Sequence, residues 1–256
     1  MTEREVGHHD RFSWVEQGDG RPVVFLHPIV GTRDYWDPQL EELSDQFRCI
    51  ALDGPGYGGG PSEPLTPAEH GARIIDFLDV LDIEQADVVG LSLGGMQALY
   101  ALGVAPARIG RAVLAATSLA FGADPNEWLA DWLAPIDGDG DPAGLAAAAI
   151  DAIVATPLPD PVRDSLRRAF RRVTESALRQ ASATIAFHDA AAIAPTIDNR
   201  CMVICGERDG ETPVPYSEAL AATLRSAELT IIPGAGHLSS IEQPHQFNEI
   251  TRNFLA

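Results

Sequence analysis

Short apolar runs alternate with amphipathic segments along most of the chain. The runs predict strands at residues 12–15, 22–26, 48–52, 112–116, 202–205 and 229–232, and one further strand leads into Ser92. Apolar residues at helical spacing, as at Ile74, Ile75 and Leu78, predict helices at residues 36–46, 67–81, 93–105, 215–224 and 245–255. This alternation is typical of an α/β fold with a mostly parallel central sheet that is flanked by helices on both faces. Residues 17–20, with the sequence Gln-Gly-Asp-Gly, further predict a hairpin turn after the first of these strands.

The alternation stops between Ser118 and Ile193. This stretch contains Pro-, Gly- and Asp-rich turns and helical segments at residues 128–133, 144–154 and 161–187, without a convincing buried strand. Helices inserted between two halves of a parallel sheet most simply cover the carboxyl edge of its strands, where α/β sheets bind their ligands. We therefore expect a single domain over residues 1–256, with a helical cap inserted at residues 119–192.

Composition narrows the classes of partner. The chain of 256 residues has a formal net charge of −19, and arginine is its only basic residue apart from histidine. This balance argues against nucleic acid or anionic membranes as partners, although a single arginine could still bind an anionic small molecule. The charged start of the chain and the lack of a long apolar run lead us to expect a cytoplasmic protein.

Cysteine and histidine patterns give no metal site. The three cysteines, Cys49, Cys201 and Cys205, are an odd number, and two of them fall on one predicted strand. We interpret them as core thiols and expect neither a disulfide nor a bound metal. The pair His8-His9 resembles a metal-binding pair, but we interpret it as part of a mobile, solvated terminus. No cofactor is expected.

The strongest chemical signal is the sequence Gly90-Leu91-Ser92-Leu93-Gly94, which lies between an apolar strand and an Ala/Leu-rich helix. A serine at so sharp a strand-to-helix turn is held in a strained backbone conformation that exposes its hydroxyl, and the flanking glycines let strand and helix approach. The start of the helix offers free N–H groups to a developing oxyanion. We therefore predict that Ser92 is a catalytic nucleophile.

A serine nucleophile needs a base and an acid that orients the base. His237 lies in a Gly-rich loop directly after a predicted strand, and Asp209 follows the preceding strand. We predict that His237 is the base and Asp209 the acid, with Glu207 as the alternative acid. The order Ser, acid, His is the one expected of α/β-hydrolases.

An oxyanion hole needs two backbone donors. The N–H of Leu93, directly after the nucleophile, supplies one of them. The loop Leu26-His27-Pro28-Ile29 follows an early strand, and the N–H of Ile29 is the natural second donor because Pro28 has none.

These segments together resemble the α/β-hydrolase superfamily over nearly the whole chain. The resemblance rests on His27 to Gly31, Asp53 to Gly58, Gly90 to Gly95, Gly206 to Asp209 and Gly236-His237. Within the superfamily the chain is similar to the 3-oxoadipate enol-lactonase group, through residues 36–40, 90–95 and 237–244. Two segments depart from the group's common pattern: His27-Pro28 stands where His-Gly or Ser-Leu-Gly is usual, and Gly54-Pro55-Gly56-Tyr57-Gly58 where Arg-Gly-His-Gly is usual. The resemblance implies an α/β-hydrolase fold, a cofactor-free serine hydrolase and a small ester or lactone as substrate.

Substrate contacts are less clearly marked. Arg33, just past the oxyanion loop, is a candidate for an anionic substrate or else an exposed residue. Trp128 and Trp132 lie four apart on one helix face and either line the pocket or pack in the core. The run Arg167-Arg168 with Arg171-Arg172 favours a solvated helix face over a carboxylate site.

Two alternatives to ester or lactone hydrolysis stay open on sequence grounds. The same triad could hydrolyse a carbon–carbon bond or carry out perhydrolysis, or the chain could be a ligand receptor that keeps the triad, because fold and triad do not fix the substrate.

Overall fold

The computed structural model describes residues 4–58, 60–137 and 142–256. In this part of the chain, eight strands form one sheet in the order β1-β2-β4-β3-β5-β6-β7-β8. Strands β1 and β2 are antiparallel to their neighbours, and the other six strands are parallel to one another. The strands are β1 Glu5–His9, β2 Phe12–Gln17, β3 Arg21–Leu26, β4 Phe47–Leu52, β5 Ala86–Leu91, β6 Ile109–Ala115, β7 Cys201–Gly206 and β8 Ala227–Ile232.

Helices cover both faces of the sheet. They are α1 Asp37–Leu43, α2 Pro67–Val80, α3 Leu93–Val104, α4 Pro125–Asp137, α5 Pro142–Ile153, α6 Asp160–Phe170, α7 Glu175–Ala186, α8 Val214–Thr223, α9 Ser239–Glu242 and α10 Pro244–Leu255. On β3, Val23 and Phe25 belong to one buried apolar cluster, whereas Val24 and Leu26 belong to another. Because successive side chains of a strand point to opposite faces, the sheet has a core on each side. The predicted fold class is confirmed.

The predicted hairpin at residues 17–20 is wrong. Residues of β2 and β3 do not pair, because β4 lies between them: Trp14 of β2 pairs with Leu52, and Leu26 of β3 pairs with the same Leu52 from the other side. The turn is present, but it carries the chain past a third strand. The hairpin of this region joins β1 and β2 instead, at Asp10, whose φ is +46°.

The prediction of a mobile terminus at His8-His9 is also wrong. Both residues lie in the edge strand β1, where His8 pairs with Ser13 and His9 with Phe12. Their side chains are exposed, as expected of a solvated pair. The signal was weak because β1 carries one large apolar residue, Val6, and that residue is itself exposed.

Four helices, α4 to α7, fill the stretch between β6 and β7 in which no strand was predicted. Residues 138–141 of the predicted cap lie outside the described residues. The single helix expected at residues 161–187 is two helices, because Thr174 caps a new one by accepting a hydrogen bond from the N–H of Ala177 at 3.1 Å. At its base, the insertion is closed by an antiparallel bridge between Ala120 and Asp189. We call α4 to α7 the cap helices.

None of the helices in the described part of the chain is long and apolar enough to cross a membrane.

Candidate active site

Ser92 lies at the turn between β5 and α3 in a strained conformation. Its φ is +53° and its ψ is −117°, a region that residues other than glycine rarely adopt. Two hydrogen bonds hold it there, from its N–H to the carbonyl of Ala115 and from the N–H of Met96 to its own carbonyl. A Cβ atom at Gly90 would lie 2.3 Å from the carbonyl oxygen of Gly94, and one at Gly94 would lie 2.0 Å from that of Leu26. Only glycines at these two positions allow so tight a turn.

Ser92 opens onto a cavity of about 260 Å³ between the strand ends and the cap helices. The walls are mainly apolar and aromatic. Besides Ser92 and His237, the lining residues are Ile29, Val30, Met96, Ser118, Phe121, Gly122, Ala123, Trp128, Trp132, Ile153, Ile185, Gly210, Glu211, Thr212 and Tyr216. Glu211 is the acidic side chain among them, and none of the arginines in the described residues lines the cavity. An apolar cavity with a few polar groups at one wall is typical of small-molecule sites.

His237 and Asp209 meet at the wall of this cavity. The Nδ1 atom of His237 lies 3.0 Å from both carboxylate oxygens of Asp209, and both side chains are buried. Asp209 also accepts hydrogen bonds from the N–H groups of Glu211 and Thr212 and from the Thr212 hydroxyl, at 2.8–2.9 Å. Burial alone raises the pKa of the Asp209 carboxyl, but the hydrogen bonds and charge of His237 and the hydrogen bonds of Thr212 outweigh it. The pKa therefore lies below its ordinary value, and Asp209 is a carboxylate at neutral pH.

The alternative acid, Glu207, lies elsewhere. Its side chain is exposed, and its carboxylate accepts a hydrogen bond from the N–H of Gly234 at 2.9 Å. The geometry therefore favours Asp209 over Glu207 as the partner of His237.

The peptide between Pro28 and Ile29 is fixed by a buried histidine. The carbonyl oxygen of Pro28 lies 2.8 Å from Nδ1 of His27 and accepts the N–H of Gly31 at 2.9 Å. Since Nε2 of His27 accepts the N–H of Gly54 at 2.9 Å, the ring proton is assigned to Nδ1. Burial lowers the pKa of His27, which keeps the ring neutral. Because the peptide is planar and trans, pinning the Pro28 carbonyl also fixes the direction of the Ile29 N–H.

Both candidate oxyanion donors are free to bind a ligand. In the described part of the chain, neither the Ile29 N–H nor the Leu93 N–H has a hydrogen-bond acceptor. Leu93 is the first residue of α3, where the helix leaves its N–H groups unpaired. Ile29 lines the same cavity as Ser92.

Arg33 does not reach the cavity. Its guanidinium is buried, contacts the Ser13 hydroxyl and lies 3.5 Å from the Asp53 carboxylate, while its N–H donates to the same carboxylate at 2.8 Å. The interpretation of Arg33 as a substrate contact, or else as an exposed residue, is therefore corrected. Arg33 ties the segment after the oxyanion loop to the ends of β2 and β4.

Trp128 and Trp132 do line the cavity. Their rings stack at a centroid distance of 5.6 Å and an interplanar angle of 5°, and Phe121 packs edge-on against Trp128. The indole N–H of Trp132 donates to the hydroxyl of Ser182 on α7 at 3.0 Å. The two tryptophans thus pack the cap helices together and also form a wall of the cavity.

The arginine run at the end of α6 and directly after it, Arg167-Arg168 and Arg171-Arg172, lies outside the cavity. Arg172 pairs with Asp34 at 2.5 Å, and Arg167 lies 3.7 Å from Asp151. This agrees with the solvated helix face favoured by the sequence.

Thr212 was not predicted from the sequence, yet it contacts both Asp209 and His237. Its hydroxyl donates to Asp209 and lies 3.4 Å from Nδ1 of His237. A signal was available, because an Asp followed after two residues by Thr is a frequent side-chain-capped turn.

The three cysteines are buried and free, as expected of core thiols. Burial raises the pKa of Cys201 to about 12 and that of Cys205 to about 11. No group of three or more His, Cys, Asp or Glu side chains among the described residues is arranged to hold a metal ion.

Comparison with known proteins matches this geometry. The sequence pattern of the alpha/beta hydrolase family matches residues 23–250. A 3-oxoadipate enol-lactonase of Acinetobacter baylyi is 27% identical over 254 residues, which cover 91% of this chain and 88% of that protein. The crystal structure of a hydrolase from Pseudomonas aeruginosa is 28% identical and superposes with a TM-score of 0.84 over 99% of this chain and 98% of that one.

The enol-lactonase of Burkholderia xenovorans superposes with a TM-score of 0.86 over 95% of this chain and 96% of that one. At 23% identity, this likeness shows the shared fold. The predicted resemblance to the superfamily and to its enol-lactonase-like group is confirmed. This chain belongs to the alpha/beta hydrolase family and is a hydrolytic enzyme of that family.

Proposed function

We propose that this hydrolase cleaves a carboxylic ester or lactone through an acyl-enzyme on Ser92. The observation that carries the proposal is the contact between Nδ1 of His237 and both oxygens of Asp209, in the wall of the cavity onto which Ser92 opens. This contact leaves Nε2 of the imidazole available to accept the proton of the serine hydroxyl. The similarity to an enol-lactonase over most of both chains adds support.

The reaction proceeds in two halves. Ser92 Oγ attacks the carbonyl carbon while its proton passes to Nε2 of His237, and the N–H groups of Ile29 and Leu93 hold the resulting oxyanion. The bond to the leaving alkoxide then breaks, and His237 gives that oxygen its proton. In a lactone this alcohol stays tethered to the acyl group. Water, deprotonated by His237, then cleaves the acyl-enzyme and releases the acid and free Ser92.

The charge of the cavity favours an uncharged substrate. A lactone of 3-oxoadipate, a dicarboxylic acid, keeps one free carboxylate, and binding it in an apolar cavity calls for a cationic partner. Here the described arginines lie outside the cavity and Glu211 is on its wall. The stacked tryptophans and the neighbouring aromatic and aliphatic side chains instead suit an apolar acyl or alcohol group. A cavity of about 260 Å³ equals the volume of about nine water molecules, each of which occupies about 30 Å³ in the liquid.

The experiment that tests this function is labelling with a fluorophosphonate, followed by turnover of neutral esters and lactones. We expect the probe to label wild type and the control variant Ser226→Ala, but not Ser92→Ala. Ser226 is an exposed serine directly before β8. Turnover of neutral esters by Ser92→Ala should fall by about three or more orders of magnitude with the fold intact. Wild-type turnover in Ser92→Ala would remove the serine mechanism. A wild-type protein that is labelled but hydrolyses no ester or lactone of the panel would contradict the proposed reaction.

A further inference from the structure

The loop that carries His237 is docked directly against the cap. The N–H of His237 donates to the carbonyl of Ile153, the last residue of α5, at 3.0 Å. A Cβ atom on Gly236 would lie 2.5 Å from the backbone nitrogen of Ala155 and 2.9 Å from the Ile153 oxygen. The two backbones therefore touch at a distance that only glycine permits. We call residues 153–156 the cap segment and residues 235–238 the histidine loop.

One carboxylate binds both of these segments. Oε2 of Glu242 accepts the N–H groups of Ala155 at 2.8 Å and Thr156 at 3.3 Å from the cap segment. The same oxygen accepts the N–H of Gly236 at 3.0 Å, and Oε1 accepts the N–H of Leu238 at 3.2 Å, both from the histidine loop. Hydrogen bonds to an ionised acceptor are about twice as strong as neutral ones. Glu242 thus makes four such bonds, two to each side of the junction.

Glu242 is itself held by the core of the enzyme. It ends the short helix α9, in which the Ser240 hydroxyl lies 2.8 Å from the hydroxyl of Tyr35 and the Ser240 carbonyl accepts the side-chain N–H of Gln39 at 2.9 Å. All three of these residues are fully buried. These buried contacts fix the position of α9, and the Glu242 carboxylate at its end holds the cap segment and the histidine loop next to each other.

We propose that Glu242 is a positioning residue that couples the docking of the cap to the placement of His237. The proposal rests on the proposed role of His237 as the base. When the cap segment leaves the junction, the bond from His237 to Ile153 and the bonds from Ala155 and Thr156 to Glu242 break together. The histidine loop then loses the backbone bond of His237 itself, and the Glu242 carboxylate that binds Gly236 and Leu238 loses two of its four donors.

The coupling also acts in the other direction. Ile153 lines the cavity, so a bound substrate contacts the cap segment as well as Ser92. A ligand that binds better to the docked arrangement must stabilise that arrangement by the same free energy. Substrate in the cavity therefore holds the base in place through the junction, and an empty site releases it more often.

The test substitutes Glu242→Gln in the full chain, with Glu249→Gln on α10 as the matched control, because Glu249 is exposed. The amide keeps the shape of the side chain but turns one acceptor into a donor that faces backbone N–H groups. We expect amide hydrogen exchange at Ala155, Thr156, Gly236 and Leu238 to become about ten- to hundredfold faster, as the loss of charge-assisted bonds implies. The kcat for a neutral ester should fall, and KM should rise because substrate binds better to the docked arrangement; neither value should move in the control.

A second measurement separates coupling from simple destabilisation. After a fluorophosphonate has reacted with wild type, exchange should slow in the cap segment and in the histidine loop together, and Glu242→Gln should lose this joint protection. Protection of only one segment, or unchanged exchange in both, would overturn the coupling. If Glu242→Gln does not fold, Glu242→Asp, which keeps the charge on a shorter arm, should show the same joint acceleration to a smaller degree. Activity retained in Ser92→Ala would contradict the proposed function and not the contacts of Glu242. The faster exchange of both segments in unlabelled Glu242→Gln does not depend on Ser92, so the two proposals can fail separately.

Discussion

Asp209→Asn is the substitution whose effect the structure defines most fully. In the wild type, Oδ1 of Asp209 accepts the N–H groups of Glu211 and Thr212, both at 2.9 Å. These two fixed donors require an oxygen at this position. The amide nitrogen of the substituted side chain must therefore take the Oδ2 position, where it faces the Thr212 hydroxyl and Nδ1 of His237.

Two donors cannot face one another, and Oδ1, which also lies 3.0 Å from Nδ1, already accepts two N–H groups, so the imidazole has to adapt. The Thr212 hydroxyl can rotate and accept, but Nδ1 of His237 can accept only if its proton moves to Nε2. That tautomer offers Ser92 a donor in place of an acceptor. We therefore expect kcat to fall by up to about four orders of magnitude, the size of the effect of a wrong tautomer in a serine triad. The overall fold should persist because the substitution preserves shape.

Glu207→Gln is the matched control. Glu207 is exposed and makes one hydrogen bond, to the N–H of Gly234. An exposed bond of this kind contributes roughly 0.5–1 kcal/mol, so the substitution should change kcat by about two- to fivefold at most. The assay is hydrolysis of a neutral aryl ester under saturating conditions, with circular dichroism to compare the folds of the two variants.

The ranking of the two variants decides the assignment. A loss in Glu207→Gln that exceeds the loss in Asp209→Asn would move the triad acid to Glu207. Near-wild-type kcat in both variants would mean that His237 needs no orienting carboxylate, and the proposed mechanism would fail with it.

Three further outcomes are expected. Trp132→Ala should change the rank order of esters across acyl chain lengths while a small phosphonate still labels Ser92; an unchanged order with lower stability would make the tryptophan purely a core residue. Glu211→Gln should raise kcat/KM for a half-ester of a dicarboxylic acid by about two- to fivefold. Removing a negative charge at roughly 8 Å from the substrate carboxylate in high dielectric lowers the electrostatic repulsion by about 0.5–1 kcal/mol. A neutral ester should be unaffected, and an equal rise for both substrates would exclude a charge effect. Burial, reinforced by the charge of Arg73, lowers the pKa of His70 to about 4, below its value in the unfolded chain. Between about pH 6.5 and pH 4 the unfolded chain therefore binds more protons than the folded protein, and the free energy of unfolding falls as the pH drops through that window. Urea unfolding at pH 7 and pH 5 should show a loss of on the order of 2 kcal/mol from this residue, which His70→Gln should remove; an equal loss in the variant would assign the acid sensitivity to other groups.

The sequence predicted the layout of the sheet's working edge better than the sheet itself. Ser92 follows β5 directly, and Asp209 and His237 lie three and five residues after the ends of β7 and β8. Because parallel strands end at one edge, these local patterns place the three residues at the same edge of the sheet. Which strands are neighbours is not encoded locally. After β3 the chain returns through α1, and β4 then takes the place between β2 and β3. The four-residue turn after β2 carries no signal of this later insertion.

Polar contacts between residues far apart in the sequence could not be predicted from local patterns either. Arg33 is buried because Ser13 and Asp53, each twenty residues away along the chain, supply its partners. Nothing in the local sequence distinguishes it from an exposed arginine. Glu242 likewise looks like an ordinary acidic residue before a proline-led helix, whereas its function depends on backbone groups more than eighty residues away.

The bridge between Ala120 and Asp189 has a consequence for how this enzyme can be altered. The chain leaves the sheet and returns to it at one point, where the N–H of Phe121 donates to the carbonyl of His188 at 3.0 Å and that of Ala190 to Leu119 at 2.7 Å. The imidazole of His188 fastens the same point to Ser118 and Tyr100. We therefore expect β6 and β7 to pair in the same way whatever length of chain lies between the two bridge residues. A cap of another size or shape could be grafted at this junction, but the histidine loop would keep its contacts only if the new cap retained residues 153–156 against it.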